Sequence, residues 1–225
     1  MVKKQQEKRT TSYKKPKKHS ITLENITYKI SKNQTLLNHV NLHIKQGDKV
    51  GIIGYSGDGK STILKLITRV TKPHKGKILI DNVDINHLTR EDLASIVCMV
   101  PQNSALFSDS ILENIRFARP SATNDEVKKA AKKALCYDFI DNLPHGIYTK
   151  LGAHGIQLSG GQLQRIALAR VIIKNAPIVL FDEATSALDS ITEARLQKAM
   201  NNYLKDKTLI AVAHKLNTLE NMNKL

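Results

Sequence analysis

The sequence lacks any apolar run approaching the roughly 18–20 residues that span a bilayer. Its cleanest runs, such as Ile178 to Phe181, are strand-sized. Membrane association is therefore expected only through a partner or through surface charge. No apolar stretch with a cleavage site follows Met1, so no secretory signal is expected. Cysteine is scarce. Cys98 and Cys136 lie far apart in apolar surroundings, without metal-ligand spacing, and one pair makes no disulfide framework. Both read as reduced core or near-core residues, which fits a cytosolic compartment. No internal repeat is present. Aromatics are almost missing from the first 20 residues, where Tyr13 stands alone. That argues against a base-stacking surface and against nucleic acid as a partner.

What the chain does have is positive charge, unevenly spread. It carries a net +15 over 225 residues. Lys3, Lys4, Lys8, Arg9, Lys14, Lys15, Lys17 and Lys18 face only Glu7 within residues 1–20. This segment reads as a basic, disordered and solvated tail. Contact with anionic lipid headgroups or with nucleic acid is the sharper alternative. The remaining length suits one large α/β domain, and 41% hydrophobic residues suffice for its core.

Order is expected to begin near Ile21, where Ile21 to Tyr28 alternates as a strand does; Leu36 to Ile44 repeats the pattern. After the turn signal Gln46-Gly47-Asp48, Lys49 to Ile53 reads as a short buried strand running into glycines. Lys60 to Arg69 has helical periodicity. Lys77 to Ile80, Ile96 to Val100, Ile178 to Phe181 and Thr208 to Ala213 read as further strands, the later ones apolar enough for a parallel sheet. Between Gln102 and Val171 the signal is mainly helical, clearest over Asp125 to Leu135, and Ser190 to Leu204 is a further helix.

Gly54-Tyr55-Ser56-Gly57-Asp58-Gly59-Lys60-Ser61 matches G-x-x-x-x-G-K-[ST] in full, between a strand and a helix. Glycines let backbone N–H groups turn toward phosphates, and the helix N-terminus adds its positive end. Lys60 offers a point charge to the β- and γ-phosphates, and the Ser61 hydroxyl is suited to Mg²⁺. These eight residues, with Thr62 behind them, form the expected nucleotide-binding set for ATP. Asp58 is the odd member, and its carboxylate is expected to point to solvent. The apolar strand Ile178 to Phe181 ends in Asp182-Glu183. Asp182 is the expected Mg²⁺ carboxylate, and Glu183 the group that polarises the attacking water. A third element, Leu158-Ser159-Gly160-Gly161-Gln162, opens a helix holding Arg165 and Arg170, and is a second glycine-rich anion site. A compact monomer rarely needs two such sites for one triphosphate, which suggests that the second serves a nucleotide held by another subunit.

Leu158–Gln162 is similar to the signature motif of ABC transporter nucleotide-binding domains, and the chain resembles those of the exporter type over about residues 21–225. Gln102, in Val100-Pro101-Gln102, matches the family's Q-loop glutamine, which senses Mg²⁺ and the attacking water. Phe107 to Ile115 resembles the exporter segment that faces the membrane domain. Ser186-Ala187-Leu188-Asp189 matches the D-loop, and His214 the switch histidine that contacts the γ-phosphate. The resemblance implies an α/β fold: a P-loop NTPase (RecA-like) core, an N-terminal antiparallel β subdomain and a helical insertion over about residues 103–171. It implies catalytic roles for Glu183, His214 and Gln102, and Mg²⁺ contacts from Ser61, Gln102 and Asp182. It further implies a head-to-tail dimer with a second nucleotide-binding domain. Each ATP then lies between one subunit's phosphate loop and the other's Ser159, Gly160 and Gly161. A transmembrane domain or subunit completes the exporter, with this chain on the cytoplasmic face of the plasma (inner) membrane. An ABC-type ATPase acting on nucleic acid or the ribosome, and a truncated remnant, are the alternative functions.

Three positions depart from the family pattern. The position of the aromatic residue that stacks on adenine in the family falls at Ile30; either Tyr28, two residues earlier on the same strand face, substitutes for it after a small shift, or Ile30 itself packs on the base. Ala153 stands where exporters carry a glutamate ahead of the signature. The chain ends eleven residues after His214, before the strands and closing helix that family members add. It is therefore expected to be a fragment, a split-gene product or a naturally short subunit, with apolar surface left uncovered.

Overall fold

A computed structural model describes residues 13–102, 105–152, 155–182, 190–212 and 222. Strand β1 (Ile21–Ser31) pairs antiparallel with β2 (Gln34–Ile44) on one side and with β4 (Lys75–Ile80) on the other. Strand β5 (Val83–Asp84) closes this sheet against β4, giving the order β2-β1-β4-β5. Its tight turn is Asp81-Asn82, both at positive φ (49° and 65°), conformations that Asp and Asn tolerate and hairpins demand.

The second sheet is parallel, in the order β3-β8-β7-β6. It comprises β3 (Lys49–Ile52), β6 (Val97–Val100), β7 (Ile178–Asp182) and β8 (Thr208–Val212). Successive side chains of its central strands serve two different cores. Ile178 and Leu180 of β7 and Ile210 of β8 pack with the antiparallel sheet and α1 (Lys60–Ile67). Val179 and Leu209 pack with the helical part. A sheet covered on both faces needs apolar residues at every position, which is why these strands read as unbroken apolar runs.

Short capped helices build the rest. Thr89 caps α2 (Arg90–Ile96) and Ser110 caps α3 (Ile111–Arg116). Thr123 and Glu126 form a capping box on α4 (Asn124–Lys133). The turn α5 (Tyr137–Ile140) leads towards α6 (Gly160–Lys174), which ends at Asn175 in the left-handed region. Helix α7 spans Ser190–Leu204. The expected helical stretch thus holds α3, α4, α5 and most of α6. No helix among the described residues is long and apolar enough to cross a membrane. Both cysteines are free thiols, and burial pushes Cys98 up to about 11 and Cys136 up to about 12. Protonated and sheltered, they are packing residues.

The expected disordered tail over residues 1–20 needs correction where it is described, over 13–20. The Asp81 carboxylate receives the backbone N–H groups of Lys17, Lys18, His19 and Ser20 at 2.6–2.9 Å, and the Ser20 hydroxyl at 3.0 Å. Asp92 receives the Tyr13 hydroxyl and pairs with Lys15 at 2.9 Å, while Pro16 is buried between these anchors. Burial alone would raise the Asp81 carboxyl, but the N–H and hydroxyl donors outweigh it and hold the group at about 2. Donation from Tyr13, Lys15 and Thr89 likewise holds Asp92 at about 2. Charge composition hid this strap because its donors are mostly backbone groups, which composition does not register.

Candidate nucleotide site

The parallel register aligns three strand ends. Ile52 of β3 and Asp182 of β7 both pair with Val212 of β8. Such an edge, at the carboxyl ends of parallel strands, is where open α/β sheets place ligands. The Gly54–Ser61 loop leaves β3 there and enters α1 through Gly59, at φ 90°. Gly59 is required twice over. Its backbone is left-handed, and a Cβ would lie 2.9 Å from the Leu36 side chain.

The loop ends in two polar side chains turned into the protein. Lys60 is 6% exposed, and its Nζ donates to Gly54 O (2.9 Å) and Tyr55 O (2.6 Å). The Ser61 hydroxyl donates to Asp182 Oδ1 at 2.6 Å. These two residues are 121 positions apart, and Asp182 is also 6% exposed. Burying a carboxylate is costly unless donors or a cation compensate it. Paired hard oxygen donors at a phosphate-binding loop fit Mg²⁺, which takes few protein ligands and keeps waters and phosphate oxygens. No group of three or more His, Cys, Asp or Glu side chains suited to a metal occurs among the described residues.

Asp58 is exposed, and its Oδ2 accepts the Tyr55 N–H at 2.7 Å, so the carboxylate is tied to the loop backbone while still open to solvent. Tyr55 and Ser56 are exposed, and Thr62 is half-buried in the first turn of α1. Gln102 is exposed two residues past the end of β6. Tyr28 is half-buried; its ring meets His74 edge-on at 5.5 Å, and its hydroxyl accepts from Thr71 at 3.5 Å. Ile30 is 58% exposed. Glu183, Ser186, Ala187, Leu188, Asp189 and His214 lie outside the described residues, as does Ala153.

The Leu158–Gln162 segment lies at the start of α6, and its polar groups close on each other. Ser159 Oγ accepts the Gln162 N–H (3.3 Å), and Gln162 Oε1 accepts the Ser159 N–H (2.9 Å). Leu158 packs on the helical core, Gly161 is buried, and Ser159 and Gly160 are exposed. Gln162 is therefore a capping residue. The two arginines of α6 turn inward, away from any anion at the helix start. Arg165 Nη1 donates to Leu135 O at 3.1 Å, with the guanidinium 5.0 Å above the Phe139 ring. Arg170 donates to Ala105 O (2.9 Å), Asn114 O (2.8 Å) and Asn114 Oδ1 (3.0 Å). Asn114, fully buried, also binds Phe107, Asp109 and Ser110 backbone groups. Sequence reasoning missed this node; its one signal was a polar residue among the apolar positions of Ile111 to Ile115. It fixes a loop whose Phe107 stays exposed against Phe117, ring centroids 4.4 Å apart.

A complete phosphate loop at the carboxyl edge of a parallel sheet, its serine tied to a strand-end aspartate, defines a P-loop nucleotide-binding domain. The sequence pattern described as ABC transporter matches residues 37–186, and the chain belongs to that family. It is 44% identical over 200 residues to an ATM1-type heavy metal exporter of Novosphingobium aromaticivorans, covering 89% of this chain and 33% of that protein. It is 40% identical over 210 residues to an ATP-dependent lipid A-core flippase of Desulfotalea psychrophila, covering 93% and 36%. The structure of a bacterial Atm1-family ABC exporter with ATP bound superposes with a TM-score of 0.88 at 41% identity, covering 93% of this chain and 37% of that one. The chain thus spans about a third of the length of the curated relatives it matches.

Proposed function

We infer that this chain is the ATP-binding and ATP-hydrolysing part of an ABC-type exporter, coupling nucleotide-driven dimer closure to movement of a substrate across a membrane. The observation that carries this reading is the Ser61–Asp182 hydrogen bond, which brings the phosphate loop and the strand-end carboxylate to one point. The exporter assignment draws on the relatives' names and on the exposed Phe107–Phe117 pair, a suitable contact for a membrane domain.

On this reading Lys60 leaves the Gly54 and Tyr55 carbonyls to meet the β- and γ-phosphates, while N–H groups of the loop and of α1 point at the same anion. Ser61, Asp182 and Gln102 would hold Mg²⁺, and the bound ion would supply positive charge against the phosphate oxygens. Glu183 accepts a proton from the attacking water, and His214 donates to the γ-phosphate. Ser186 to Asp189 supply the D-loop. Ser159, Gly160 and Gly161 complete the partner's site at a helix start, where Ser159 and Gly160 are exposed. Tyr28 and the exposed Ile30 flank the adenine. The chain works at the cytoplasmic face of the membrane, held there by its partner.

Two measurements test the proposal together. Glu183→Gln should lose ATP turnover while retaining bound ATP, and sedimentation should show it forming a dimer upon addition of Mg-ATP. Unchanged turnover removes Glu183 from its role, and a monomer saturated with ATP removes the shared site.

A further inference from the structure

The phosphate loop is closed by its own charged side chains. Asp58 N–H donates to Tyr55 O at 3.3 Å, making Tyr55–Asp58 a four-residue turn with Gly57 at φ 92°, a conformation glycine adopts freely. The Asp58 carboxylate returns to the same residue and accepts its N–H at 2.7 Å. From the other side, Lys60 Nζ donates to Gly54 O and Tyr55 O. The Gly54–Tyr55 peptide is therefore gripped at both ends, its carbonyl by Lys60 and its N–H by Asp58. Each charge favours the peptide orientation that the other needs. Among the described residues no cationic side chain forms a salt bridge with Asp58.

A triphosphate competes with those carbonyls for the donors of Lys60 and brings several negative charges beside Asp58. Both effects oppose binding. We propose that Asp58 is a built-in competitor of the nucleotide: it latches the Gly54–Tyr55 peptide by holding the Tyr55 N–H, repels incoming phosphate and lowers the resting affinity for Mg-ATP. The proposal rests on the ATP-binding reading of the loop. The repulsive part is screened by salt, because Asp58 is exposed. The latch part is not, because it is a short hydrogen bond within the turn. Substitutions separate the two parts. Asparagine keeps an oxygen acceptor for the Tyr55 N–H and removes the charge; alanine removes both.

The test is calorimetric titration of Mg-ATP into the full chain and into Asp58→Asn and Asp58→Ala, at low and at high salt. Asp58→Ala should bind about three- to tenfold more tightly than wild type, the scale of one exposed charge acting at close range. Asp58→Asn should fall between them, and the gain should shrink as salt rises. Equal or weaker binding by both variants overturns the latch and leaves ATP binding intact. Absence of Mg-ATP binding in all three chains overturns the ATP reading itself, and the latch with it.

Discussion

The loop at Gly54–Ser61 and the helix start at Ser159 are both glycine-containing helix N-termini, yet they are finished in opposite ways. The first is completed by residues far away in sequence: Asp182 reaches Ser61 across 121 positions, with Lys60 and Asp182 both nearly buried. The second is completed by its own first turn, with Ser159 and Gln162 capping each other and Ser159 and Gly160 left exposed. One site is a junction of the fold; the other is an open end. An anion site held by tertiary contacts can bind its ligand within one chain. An open helix start, worth about 1 kcal/mol or less to an exposed charge, needs a second surface to contribute appreciably.

The phosphate loop and the loop ahead of α3 also owe their rigidity to different forces, and that difference can be broken. The loop sits on an apolar parallel sheet. The loop ahead of α3 hangs on one buried polar group, Asn114, which holds Phe107, Asp109, Ser110 and Arg170 at once. Asn114→Ala should lower unfolding stability by about 3 kcal/mol in urea titrations, because several buried partners lose their bonds together. A loss below about 1 kcal/mol would show that the node is dispensable.

A smaller effect is expected at the N-terminal strap. Asp81→Ala should cost about 1–2 kcal/mol and speed tryptic cleavage after Lys14, Lys17 and Lys18 relative to wild type. The same anchors set a pH dependence. Asp81 and Asp92 titrate at about 2 in the folded chain, below the ordinary carboxylate value of about 3.9. A depressed folded value adds stability above the ordinary value, and that stability is lost as pH falls through the folded one. The stability difference between wild type and Asp81→Ala should therefore be constant above about pH 4 and shrink from there towards about pH 2. A difference that grew on acidification would contradict the clasp.

The smallest effect sharpens the comparison itself. Ser159→Ala removes one cap and should cost about 1 kcal/mol of stability. Beyond that, it should weaken the Mg-ATP-dependent dimer, read by sedimentation across a protein concentration series. A dimer as tight as wild type's would confine Ser159 to its capping role.

Much of this was legible in sequence, because the sequence signals are local. The strand Ile178–Asp182 announces itself as an apolar run because both of its faces are buried. Helix α1 announces itself through the loop that must precede it. What escaped is what arises between distant groups. The Asp81 clasp uses backbone N–H groups of a segment whose lysines suggested a solvated tail. Asp58 looked like a carboxylate with no partner but solvent, yet the four-residue turn Tyr55–Asp58 supplies it with a donor. The arginines of α6 stand on the helix that the glycine-rich anion site opens, but burial and the carbonyls of Ala105, Asn114 and Leu135 turn them inward.

The most direct test of the junction at Lys60, Ser61 and Asp182 is thermal unfolding with and without Mg-ATP. A ligand that binds only the native state at a hundred times its Kd adds about 2.7 kcal/mol. For a chain of this size that raises the midpoint by several degrees, at about 2–4 °C per kcal/mol. Wild type should show that rise in proportion to the logarithm of Mg-ATP concentration, and Lys60→Ala should need about tenfold to hundredfold more nucleotide for the same shift. Identical midpoints with and without Mg-ATP in wild type, or identical shifts in the two chains, would contradict the assignment of this junction as the nucleotide site.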